Sequence, residues 1–165
     1  MPTESESESE IVHSTETKEL SEVIHAQGHA NVSAEHASTL EITSDDWLTP
    51  AGDCILGVEA DRVPTDFDTE FIRACQSPDA KITATITVES ETTGTYTERI
   101  IGSGSPGLTF DNERSHVART STYTDDRTVL IGGDLAAADI DRNMIDALTT
   151  GADLTLRLSV TVQAD

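Results

Sequence analysis

Alternating apolar and polar residues mark the predicted strands of this chain. In KITATITVE, residues 81–89, every second residue is apolar, and LTLRLSVTV near the C-terminus follows the same rule. A period of two indicates a strand with one buried face. ELSEVIHAQ, ASTLEIT and DCILGVEA predict further strands, with Leu40 and Ile42 on one half-buried face of the second. The pattern therefore predicts a β-rich chain.

Helical spacing of apolar residues interrupts the strands twice, in DFDTEFIRACQ and in DIDRNMIDALTT. In the first segment one helix face would carry Phe67, Phe71, Ile72 and Cys75. Asp66 or Asp68 stands where an N-cap is expected, and Asp139 and Asp141 repeat this pair. We therefore assign these paired carboxylates to helix capping rather than to catalysis.

The same order of elements occurs twice along the chain. Adding 73 to positions 53–75 reaches similar residues, while GHANV aligns with GSPGL at a spacing of 76 and the last strands at 74. We predict one domain over residues 20–165, made of two tandem repeats at about 20–90 and 95–163. Each repeat has the order strand-strand-strand-helix-strand. The fold class is β-rich (α+β): a β-sandwich or partly closed barrel of about eight strands with two short helices.

Composition indicates the solvent more clearly than the chemistry. The chain carries 31 Asp and Glu against 10 Lys and Arg, a net charge of -21. Such a surface repels itself in dilute buffer but is screened in molar salt, where the Debye length is roughly 3 Å. We therefore expect a halophilic, cytoplasmic protein. No apolar stretch approaches the roughly 20 residues that span a bilayer. Residues 1–19 are predicted to be a disordered acidic tail.

Four segments together resemble a known family. They are GHANV, then EHASTLEITSDDWLTPAGDCILGVEAD, then GSGSPGL, and last GGDLAAADID. In this order they are similar to the archaeal family catalogued as domain of unknown function 371, over about residues 22–162. The resemblance implies a β-rich duplicated fold and no activity. One departure is that Leu135 stands where family members tend to have a basic residue, whereas Arg62 keeps it in the first repeat.

Imidazole and carboxylate groups cluster in the first repeat and raise the alternative of a small metal-dependent enzyme. The candidate residues are His25, His29, Asn31, His36, Asp53 and Asp61. Their spacing matches no established zinc motif, so turn and strand-end hydrogen bonding is the competing interpretation. Cys54 and Cys75 share faces with core residues, which predicts buried thiols and no disulfide in a reducing cytosol.

Two glycine turns suggest a binding site instead. GSGSPG lacks the lysine of a phosphate loop, but it aligns with GHAN, so that Ser105 corresponds to His29. If a pseudo-twofold axis brings these turns together, nearby arginines would complete an anion pocket; Arg62, Arg99, Arg114 and Arg119 are the candidates. The sequence thus favours a non-catalytic binding module for a small anionic ligand, nucleotide or RNA element. It indicates neither a cofactor nor an oligomeric state.

Overall fold

The computed structural model describes residues 16–163, so most of the predicted tail, residues 1–15, lies outside the described part. The first strand begins at Thr17, three residues before the predicted start of the domain. The strands are β1 (Thr17–Gln27), β2 (Thr39–Thr43), β3 (Ile55–Gly57), β4 (Lys81–Ser90), β5 (Gly94–Ser103), β6 (Ser115–Arg119), β7 (Thr128–Leu130) and β8 (Asp153–Gln163). The helices are α1 (Thr69–Cys75) and α2 (Arg142–Thr149).

The described strands form two four-stranded sheets, which confirms the predicted β-rich α+β class and shows no closed barrel. The large sheet has the order β1-β8-β4-β5 and is antiparallel throughout. The residues predicted to point inward on β4, Ile82 to Val88 at every second position, are all buried. The alternation therefore gave the correct buried face for this strand.

The small sheet, ordered β3-β2-β6-β7, differs from the half-buried strands that were predicted. β2 and β6 are buried on both faces, so Glu41 and Thr43 are enclosed along with Leu40 and Ile42. The strand predicted over DCILGVEA is reduced to the three residues of β3, followed by an isolated bridge between Val58 and Gln27. Period two cannot report what covers the outer face, because that depends on loops far away in sequence.

The two helices and the inner faces of both sheets enclose one hydrophobic core. Phe67, Phe71 and Phe110 pack ring against ring in this core. Short 3-10 turns precede the helices, and in them Asp66 and Asp139 accept backbone hydrogen bonds at 2.9 Å. Within residues 16–163, no helix has the length and apolar character needed to cross a bilayer.

The two halves of the chain exchange strands around a pseudo-twofold axis. β1 of the first half pairs with β8 of the second, and β5 pairs with β4. Equivalent hydrogen bonds repeat across the halves: Asp61 binds the backbone of His25, and Asp134 binds that of Ile101. The axis passes between β4 and β8 in one sheet and between β2 and β6 in the other.

Candidate binding surface

His29 and Ser105 are the most visible difference between the aligned turns, but their side chains accept equivalent hydrogen bonds. The Nδ1 atom of His29 accepts a hydrogen bond from the amide of Asn31 at 3.0 Å. The Oγ atom of Ser105 accepts the equivalent bond from the amide of Gly107 at 3.1 Å. Each side chain stabilises its own turn, so the turn interpretation of His29 fits the structure.

His36 has a matching partner in the second half as well. Its Nδ1 atom accepts from the amides of Ser38 and Thr39, at 3.3 and 3.1 Å. Oδ1 of Asn112 accepts the amides of Arg114 and Ser115 in the same way, at 2.8 and 2.7 Å. His36 and Asn112 therefore cap the starts of β2 and β6.

The remaining residues of the proposed metal cluster also make local hydrogen bonds: the His25 ring contacts the Thr155 hydroxyl, and Asp53 bonds through its main-chain carbonyl. Asn31 donates to the carbonyl of Leu48 at 2.7 Å, and the carbonyl of Asp53 accepts the amides of Glu35 and His36. Asp61 binds the backbone of His25, as described above. Among residues 16–163 there is no group of three or more His, Cys, Asp or Glu side chains placed to hold a metal ion.

Both cysteines are free thiols, with Cys75 buried and Cys54 partly buried. Burial, followed by the neighbouring Glu41 carboxylate, raises the pKa of Cys54 to about 11. Burial raises the pKa of Cys75 even further above its usual range. Since the thiolate is the nucleophile, neither cysteine is prepared for covalent catalysis.

The two glycine turns do not meet, so the condition for a shared anion pocket between them is not fulfilled. Gly28 follows β1 and its amide donates to Ala152, whereas Gly104 follows β5 and donates to Ala80. In the sheet register these turns lie at opposite ends, about 34 Å apart along the strands. The pseudo-twofold axis runs through the middle of the sheet, which separates equivalent turns instead of bringing them together.

The candidate arginines Arg62 and Arg114 are already paired. Arg62 contacts the Glu22 carboxylate at 2.7 Å and donates to the carbonyls of Val23 and Asp66. Arg114 is exposed and lies 3.8 Å from the Asp45 carboxylate. Arg62 therefore ties β1 to the turn before α1, while Arg114 makes only a long surface contact.

Charged groups also cluster on the outer side of the small sheet. Arg119 and Arg127 both bind the Asp125 carboxylate, at 2.9 and 3.2 Å, and Arg127 lies 3.9 Å from the buried Glu41. Burial would raise the pKa of Asp125, but hydrogen bonds from Thr128 and Arg127, with the charge of Arg119, lower it to about 2. We call Glu41, Arg119, Asp125 and Arg127 the ion network. Its charges cancel within the protein.

The outer face of the large sheet is different. We define the open face as the outward residues in its three middle rows, across β1, β8, β4 and β5. These are Ser21, Ser159, Thr83 and Ile101; Val23, Arg157, Thr85 and Arg99; and His25, Thr155, Thr87 and Thr97. The set contains no carboxylate, although the chain has 31. Acidic residues border it: Glu19, Glu89 and Asp153 stand in the next rows, and the Glu19 carboxylate accepts a hydrogen bond from Ser159 at 2.6 Å. At the sheet edges, Asp61 and Asp134 bind the amides of His25 and Ile101.

Arg99 and Arg157 occupy the middle row of the open face and make no ion pair within residues 16–163. Arg157 has only a 3.5 Å contact with the hydroxyl of Ser21. The axis relates these arginines to Val23 and Thr85, so both charges belong to the second half of the chain. Val23 and Ile101, on the edge strands, are 37% and 40% exposed. The open face thus combines cations, hydroxyls and exposed aliphatic groups.

Comparison with known proteins identifies the family of this two-sheet α+β domain. The family model described as "Domain of unknown function (DUF371)" matches residues 24–161. An uncharacterised protein of Methanocaldococcus jannaschii is 39% identical over 138 residues, covering 84% of this chain and 98% of that protein. The chain therefore belongs to the DUF371 family.

Sequence reasoning did not single out the open face. Arg99 was considered only as a neighbour of the glycine turns, and Arg157 not at all. The available signal was the position of both residues on the polar side of alternating strands. Their pairing in one row could not be read from the chain, because it depends on the strand order β1-β8-β4-β5.

Proposed function

We propose that this protein is a non-catalytic binding module and that an anionic ligand binds the open face. One observation carries the proposal: three sheet rows with no acidic residue at any outward position hold two arginines that lack ion pairs within residues 16–163, in a chain of net charge -21. Guanidinium groups bind phosphates and carboxylates through two parallel hydrogen bonds. The ion network offers no comparable site because its arginines already hold Asp125 and Glu41.

Local charge supports this choice of surface. The acidic residues elsewhere repel an anion, so binding has to occur where short-range attraction outweighs that repulsion. At the open face the outward rows contribute two guanidinium groups and seven hydroxyls. Among the described residues, carboxylates contact only its first and third rows, at Ser159, Ile101 and His25. An anion centred between Arg157 and Arg99 therefore lies in the middle row, whose residues make no carboxylate contact within residues 16–163.

The test is a titration with inorganic polyphosphate followed by amide chemical shifts. We expect shifts concentrated on the middle of β4 and β8. The variant R99V/R157T gives each position the residue that already stands at the axis-related position, so it should fold and lose these shifts. The matched control R73S/R114S removes the same charge from exposed sites elsewhere. An equal response of both variants, or shifts away from the open face, would contradict the proposal.

We further propose that the protein works in a salt-rich cytoplasm and that its two halves arose by duplication. The charge of -21 supports the first point, and the repeated hydrogen bonds around the axis support the second. Screening of repulsion should raise the free energy of unfolding as KCl increases. Urea unfolding at several KCl concentrations measures this, and a stability independent of salt would argue against the salt-rich environment.

A further inference from the structure

We infer that the anionic ligand of the open face is the backbone of double-stranded RNA; this inference rests on the proposed function. The shape of the surface is the first argument. Cavities of about 800, 450 and 270 Å³ lie near the ends of the large sheet, against α1 or the β4–β5 hairpin, and none is lined by open-face residues. Small molecules and mononucleotides are normally held in concave pockets. A face that lines none of these cavities suits an extended ligand better.

The scarcity of aromatic side chains on the open face argues against single strands, since His25 carries the one aromatic ring in its three rows. Proteins that hold single-stranded nucleic acid stack its bases on aromatic rings. The exposed aromatic residues among those described, Trp47 and Tyr123, are 58% and 61% exposed and follow strands of the small sheet. The open face therefore offers an unpaired base only the imidazole of His25 and two guanidinium groups, fewer stacking platforms than a run of successive bases needs.

The chemistry of the face matches an RNA duplex. The minor groove of A-form RNA is wide and shallow and presents 2′-hydroxyl groups, which both donate and accept hydrogen bonds. Serine and threonine hydroxyls have the same dual capacity, and seven of them stand in the three rows. Arg157 and Arg99 are separated by one strand, about 10 Å between backbones, and can each bind a different phosphate.

The extent of the face limits the number of contacts. Its three rows cover about 14 Å along the strands and about 14 Å across them. Beyond this area Glu19, Glu89 and Asp153 repel phosphates. With two arginine–phosphate contacts, the logarithm of the affinity should fall with the logarithm of salt with a slope of about -2. Binding should therefore be weak and should lie within one groove.

The experiment compares an RNA duplex, a DNA duplex of the same sequence and single-stranded RNA by fluorescence anisotropy at two KCl concentrations. We expect the RNA duplex to bind roughly tenfold more tightly than the others, because only it presents 2′-hydroxyls in a shallow groove. R99V/R157T should weaken this binding by roughly tenfold or more and flatten the salt slope, while R73S/R114S keeps both.

A second variant separates the inference from the proposed function. T85V/T155V removes two outward hydroxyls at nearly constant shape, so it should weaken RNA duplex binding and leave the polyphosphate shifts unchanged. Equal affinity for RNA and DNA duplexes, or an unaffected T85V/T155V, overturns the inference while the proposed function stands. Failure of polyphosphate to bind overturns both. Selective binding of an acidic protein to the same face, without RNA binding, also overturns the inference.

Discussion

The outer faces of the two sheets each carry a pair of arginines from the second half of the chain. One pair binds a carboxylate of the protein, and the other has no ion pair within residues 16–163. On the small sheet, Arg119 and Arg127 converge on Asp125 and order the loop before β7. On the large sheet, Arg99 and Arg157 stand one strand apart, with only threonine between them. The comparison teaches that an arginine in an acidic protein points to a ligand site where no carboxylate pairs with it.

The largest effect should come from breaking the ion network. Arg119 is 9% exposed, so R119T leaves Asp125 with one guanidinium partner fewer and should lower the free energy of unfolding by about 3 kcal/mol. R99V/R157T on the open face should change it by less than about 0.5 kcal/mol. Urea unfolding in constant KCl measures both. Similar losses in the two variants would remove the distinction between the faces.

A carboxylate placed on the open face should make it resemble the ion network. T85E puts an acid between Arg157 and Arg99, with which it forms cross-strand pairs, so polyphosphate affinity should fall roughly tenfold. The free energy of unfolding should stay the same or rise by up to about 1 kcal/mol. T95E, on the same side of the sheet but outside the open face, is the control. Unchanged binding by T85E would show that these arginines are not the site.

Lowering the pH should reduce the contribution of the ion network to the free energy of unfolding. The pKa of Asp125 is about 2 in the folded protein against an ordinary 3.8, so its contribution is complete above the ordinary value and is lost as pH falls toward 2. After allowance for solvent screening this amounts to about 1 kcal/mol. Unfolding curves at several pH values should show a shallower loss for D125N than for the wild type. Parallel pH profiles would contradict the assignment.

The smallest effect is expected at Arg114, which resembles the arginines of neither face. It is exposed and its contact with Asp45 is 3.8 Å long. Such pairs contribute little, so R114S should change the free energy of unfolding by less than about 0.5 kcal/mol and leave polyphosphate binding intact. A clear loss of binding in R114S would move the candidate site from the open face to this loop.

The predicted site residues illustrate a limit of comparing repeats. His29 against Ser105 and His36 against Asn112 differ in residue type but accept equivalent backbone hydrogen bonds. Different side chains with an acceptor at a suitable distance can hold one turn, so divergence there did not mark function. Strand alternation was more reliable, because it follows from burial of a single face.

The residue offset between β4 and β8 was also misjudged when the two halves were aligned by sequence. Sequence matching aligned β4 with β8 at 74 residues, but the equivalent bonds of Gly28 and Gly104 relate Ala80 to Ala152, a spacing of 72. A shift of two residues leaves an alternating pattern unchanged, so apolar periodicity cannot detect it. Only the hydrogen bonds at the strand ends fix the register.

By itself, the sequence determined the strand-rich class, the inward residues of β4 and β8, the two helices and their acidic starts, and the surface charge. These follow from local periodicity, capping chemistry and composition. The tertiary structure decided the exchange of strands between the halves, the separation of the glycine turns, the burial of the small sheet and the row that joins Arg157 to Arg99. Those features depend on contacts between residues far apart in the chain, which local patterns do not encode.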